Sequence, residues 1–153
     1  MHNPRSLYEI LIFSFLICAI TIPLYGKDNR AQPKEFGVYI MTDKGLKRLL
    51  PNIVNSGGEM PFIENNNPHR YALKDIDYFV LYGKYNMEVL TVNPLLFMQA
   101  SSLGKTRYLF GKDIAFVMKN IGKDLFSVKP KELLGRGYFC LWIEDTAWDF
   151  IIE

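Results

Sequence analysis

The chain has 153 residues, 49% hydrophobic, 14% aromatic and 22% charged. That length holds one domain, and that composition supplies apolar surface for a core, which excludes wholesale disorder. Its 18 Lys and Arg against 16 Asp and Glu leave a net charge of +2. This is not the basic excess of a nucleic-acid-binding surface, so nucleic acid is not an expected partner.

The first element is an uncharged apolar run from Ile10 to Leu24, preceded by Arg5 and followed by Tyr25, Gly26 and a polar stretch to Glu35. A basic start, an apolar centre and a small residue at a polar exit make the order of a secretory signal. The run is shorter than the ~20 residues of a comfortable spanning helix. Pro23 interrupts it just before Gly26, after which a cut is expected. Leu24 is a poor residue two positions before Gly26, where a small one is preferred, so an uncleaved membrane anchor stays open, as does a buried core helix. Ile17, preceding Cys18, lacks the small side chain of a lipidation site. The organisation expected is therefore a signal or anchor over 1–26, a linker over 27–35 and one domain over 36–153, placed outside the cytoplasm or tethered to the membrane.

Strand signals then follow in series. Phe36–Thr42 reads as a strand, Asp43-Lys44-Gly45 turns, and the chain returns in alternation through Leu46, Arg48 and Leu50 as a hairpin to Pro51, with Ile53-Val54 as a short continuation. Asp77–Tyr82 is the next strand, Gly83–Asn86 turns, and Met87–Val92 follows. Pro94 opens Leu95–Ala100, whose class periodicity leaves undecided. Thr106–Phe110, Ile114–Lys119 and Leu125–Val128 read as strands, and Pro130–Leu134 as one helical turn. Tyr138–Ile143 and Ala147–Ile152 form a terminal hairpin. The aromatic content, 11 Phe, 9 Tyr and 2 Trp, suits strands. Short strands without a long amphipathic helix predict an all-β fold, an antiparallel sandwich (immunoglobulin-like or jelly-roll-like) or a small barrel, preceded by the N-terminal hydrophobic helix.

A three-residue loop at 144–146 would set Trp142 opposite Trp148, either as core or as an open aromatic platform. Tyr78 and Tyr82 share one strand face with Val80. These four aromatics, Trp142, Trp148, Tyr78 and Tyr82, are the candidate ligand-binding residues, because rings with polar edges serve interfaces and sugars.

Other chemistry is thinner. Gln99–Thr106 resembles a phosphate-binding loop but has Gln99 where the first Gly belongs, and a strand follows instead of a helix. His2 and His69 are the only histidines, so no zinc set forms, and Glu144, Asp145 and Asp149 fall short of a calcium loop. No cofactor is expected. Cys140 is the only cysteine after the apolar run and reads as a buried strand thiol. Glu59, Glu64, Asp75 and Asp77 offer carboxylate pairs for a hydrolase, without a defined separation. Lys119, Lys123, Lys129 and Lys131 read as a solvated basic face.

Val128–Trp142, with its Pro130…Leu134-Gly135-Arg136-Gly137-Tyr138 run, and Trp148-Asp149-Phe150 together resemble a C-terminal pattern of exported bacterial β-domain proteins of unknown function. Gly37–Pro51 is similar to the start of such domains. The resemblance implies a small extracytoplasmic β domain and no catalytic residue. The function expected is a noncatalytic interaction module of the bacterial cell envelope. Its partner would be an envelope protein or glycan, with residues 10–24 in the membrane if uncleaved. The alternatives are a carbohydrate-binding module using the exposed aromatics, and a small hydrolase with paired carboxylates.

Overall fold

Alternating side chains between turn residues pair into two sheets in the computed structural model, which describes residues 32–100 and 106–153. The expected N-terminal helix, the signal or anchor over 1–26, the start of the linker, Cys18 and most of the phosphate-loop-like run lie outside the described residues.

The first sheet has the order β2 (Gly45–Leu49), β1 (Gly37–Thr42), β6 (Ile76–Tyr82), β10 (Leu125–Pro130) and β9 (Phe116–Gly122). The second runs β3 (Pro51–Ile53), β12 (Thr146–Ile152), β11 (Gly137–Ile143), β7 (Thr91–Ala100), β8 (Thr106–Phe110) and β4 (Phe62–Glu64). Within it, β5 (His69–Tyr71) lies parallel to β12, while the other pairings are antiparallel. The second sheet curls until its edges nearly meet. Asn55 and Phe62 exchange backbone hydrogen bonds of 2.8 and 3.1 Å, and Asn52 Nδ2 donates to the Glu64 carbonyl at 3.0 Å. The all-β expectation holds, with sandwich and barrel combined in one chain.

The curl produces two cores. Val38, Ile40, Phe79, Leu81 and Val128 of the first sheet pack against Phe139, Leu141, Trp148 and Phe150 of the second. Inside the curl, Val54, Ile63, Leu95, Cys140 and Ala147 form a smaller cluster. β11 and β12 therefore bury both faces, which explains why they read as nearly continuous apolar runs. Each fully buried Phe or Leu contributes about 1.5–3 kcal/mol relative to exposure.

Several local expectations are corrected. β4 and β5 have three residues each, too few to show alternation. The chain leaves the first sheet at Leu50 and enters the second at Pro51, so the second hairpin strand ends one residue before the change of sheet. Met87–Val89 is a single 3-10 turn, not a strand, held by the Asn86 side chain, which accepts the Glu88 N–H. Pro94 does not open an element; it lies inside β7, opposite Phe139 at the last paired position with β11. Its missing N–H falls where that ladder ends, and its carbonyl accepts the Gly111 N–H at 2.7 Å. The helical turn at Pro130–Leu134 is absent. Pro130 finishes β10, and Lys131 N–H continues the ladder by donating to Ala115 O at 2.9 Å, which keeps the chain extended.

Candidate functional site

The terminal hairpin turns on two residues, Glu144 and Asp145, because Ile143 pairs with Thr146. Trp142 therefore faces Ala147, and Trp148 faces Leu141. A slip of one residue moves a side chain to the other face of a sheet. The two indoles accordingly point into different cores, and the paired Trp142–Trp148 platform does not form. Trp148 is 5% exposed in the sandwich core, edge-on to Tyr85 at 5.6 Å. Trp142 is half-buried against the curled sheet, stacked on Phe110 at 4.3 Å, and its Nε1–H donates to the Glu144 carbonyl at 2.6 Å. Tyr78 and Tyr82 do share a face with Val80, turned away from Phe79 and Leu81. Tyr82 meets the exposed Phe36 ring at 4.8 Å.

Polar groups gather inside the curl. Asp149 is buried there and accepts hydrogen bonds from the Tyr138 hydroxyl and, at 2.5 Å, from Asn65 Nδ2. Asn93, equally buried, accepts from Thr91 Oγ1 at 2.6 Å and donates to Gly111 O and Asp113 Oδ1. Among the described residues, no buried side-chain nitrogen or oxygen lacks a partner. Burial pushes the Tyr138 phenol far above its ordinary range, and the Asp149 carboxylate pushes it further. Burial, then Asp149, likewise push up the Cys140 thiol, against a backbone hydrogen bond from Asn93 that lowers it. A thiol held neutral in this way is a packing group and not a nucleophile.

The acids of the terminal hairpin do not converge. Asp149 points into the curl, whereas Glu144 and Asp145 are exposed at the turn, where Asp145 accepts from Thr146 Oγ1. Among the described residues no metal-binding group of His, Cys, Asp or Glu forms. Glu64 pairs with Arg107 at 2.9 Å on the second sheet, while Asp77 belongs to β6 of the first.

The strongest binding geometry is an edge that the sequence reading located only as a strand. β9 pairs with β10 on one side, and among the described residues nothing pairs on the other. The Lys131–Ala115 hydrogen bond marks that pair as a bonded one, and bonded and non-bonded pairs alternate in an antiparallel ladder. Val117–Lys129 and Lys119–Ser127 are then bonded pairs, while the N–H and C=O groups of Phe116, Met118 and Asn120 project from the free edge. Val117 and Ile121 are 45% and 51% exposed along it. Strand order is a tertiary property, so no local signal could have assigned β9 to the edge.

Among the described residues no helix is long and apolar enough to cross a membrane. Comparison with family models, with curated proteins and with solved structures gave no match.

Proposed function

We propose that this chain is a noncatalytic interaction module, exported to or tethered in a bacterial cell envelope, which takes a strand of a partner protein onto β9. The observation that carries this reading is the open edge of β9, with the backbone groups of Phe116, Met118 and Asn120 projecting between exposed apolar side chains. Strand addition of this kind draws affinity from main-chain hydrogen bonds and specificity from alternate side chains. Each such bond contributes about 0.5–1.5 kcal/mol net. Lys119 near the strand centre and the register shift at its Gly122 end limit open-ended pairing, so the edge suits one partner strand and resists indefinite stacking. The signal-like order of residues 1–26 supports the envelope location.

The test is a photo-crosslinking amino acid at Lys119, expressed in the native host. It should yield a discrete protein adduct outside the cytoplasm. Met118→Pro removes one outward N–H at a position where proline is tolerated, and should abolish the adduct while leaving the unfolding midpoint nearly unchanged. An adduct that persists in the folded Met118→Pro variant would rule out strand addition at this edge.

A further inference from the structure

A second surface lies at the loop between β10 and β11. Leu133 at its tip is 99% exposed, although the next residue, Leu134, packs on the sandwich core. The loop is tied at its start by the Lys131–Ala115 hydrogen bond and at its end by entry into β11, so Leu133 is held out by a fixed frame. Leu133 lines an open groove of about 750 Å³ that is also lined by Leu73, 45% exposed. One exposed leucine is ordinary; two lining one apolar groove form a patch that water solvates poorly.

The charge around this patch selects its partner. Lys74, Lys129, Lys131 and Arg136 line the groove, all exposed and without an ion-pair partner among the described residues. The acids lining it are Asp77, Glu132 and Glu153, and Arg70 holds Glu153 at 3.1 Å. With Glu153 held by Arg70, the four cations of the lining outnumber its two other acids, Asp77 and Glu132, and an apolar tip with this excess of positive charge matches the interface of an anionic bilayer, where the tip leaves water and the cations meet headgroups.

We propose that the loop 131–136 and its groove dock on an anionic membrane surface, with Leu133 entering the headgroup boundary. This surface is separate from the β9 edge and does not depend on strand addition. It is also distinct from residues 10–24, and would orient the domain on a bilayer where that segment only tethers it.

The experiment uses the full chain carrying Leu133→Cys and Cys18→Ser, labelled at position 133 with an environment-sensitive fluorophore; Cys140 is buried and does not compete. Residues 10–24 can themselves associate with lipid, so the local label, and not total binding, is the readout. Phosphatidylcholine vesicles containing phosphatidylglycerol should shift the label emission to the blue, and phosphatidylcholine alone should not. Exchanging Lys74, Lys129, Lys131 and Arg136 for Gln should weaken the response roughly fivefold per charge removed. Lys131→Gln alone is a milder variant with the same expected direction. An equal shift on both vesicle types, or none on either, overturns the proposal. A shift with a soluble peptide alternating Leu and Glu, but not with phosphatidylglycerol vesicles, overturns it in favour of a protein partner.

Discussion

Tyr138 and Asp149 stand on neighbouring strands and meet inside the curled sheet, where the phenol donates to a carboxylate that the apolar cluster surrounds. Tyr138→Phe leaves Asn65 as the remaining donor to that oxygen. A lost hydrogen bond to a charged group costs about 1.5–3 kcal/mol. Urea unfolding of Tyr138→Phe should show a loss in this range with an unchanged slope. A loss below about 0.5 kcal/mol would mean that the phenol contributes packing and not a hydrogen bond.

Stability should decline at alkaline pH for a definable reason. The Cys140 and Tyr138 groups are raised above ordinary values of 9.0 and 10.0. The folded chain therefore keeps protons that the unfolded chain releases, and stability falls as pH rises. The contribution is fully present below pH 9 and is lost progressively above it. Thermal midpoints measured from pH 7 to 10.5 should fall over the upper part of that range, and Cys140→Ala should flatten part of the slope. In the same range a thiol reagent should label Cys140 rapidly only after urea is added.

Two turn residues adopt left-handed backbone conformations without being glycine, Asp124 at φ 52° and Glu144 at φ 54°. That conformation costs an L-residue about 1–2 kcal/mol, partly offset by the greater freedom of glycine in the unfolded chain. Glu144→Gly keeps the carbonyl that accepts the Trp142 indole. It should raise stability by about 0.5–1 kcal/mol in a denaturant titration. A decrease would show that the Glu144 side chain contributes something the backbone argument omits.

Gly111 is required by close approach. A Cβ there would lie 2.8 Å from Pro94 Cγ and 3.1 Å from the Pro94 carbonyl. Gly111→Ala should cost about 1–3 kcal/mol through overpacking of β7 against the chain after β8. Gly57 and Gly58 meet nothing within 4 Å, so alanine at either should be neutral or slightly stabilising. Thermal melts of the three variants check the contrast.

The sequence by itself determined that this chain builds an all-β domain. Short runs rich in aromatic and β-branched residues at Gly37–Thr42, Ile76–Tyr82 and Gly137–Ile143, with polar turns at Asp43-Lys44 and Glu144-Asp145, are a local signal that needs no knowledge of the partner strand. Tertiary structure decided where those strands stand and which faces they bury. One residue of turn length separates a Trp142–Trp148 pair from indoles in two different cores, and composition does not encode that length. The edge position of β9 depends on β10 pairing with β6, more than forty residues earlier in the chain, and the exposure of Leu133 beside a half-buried Leu134 depends on how β10 and β11 join different sheets. Both candidate surfaces arise from pairings between distant segments, and a local pattern carries no information about which distant segment will supply its neighbour.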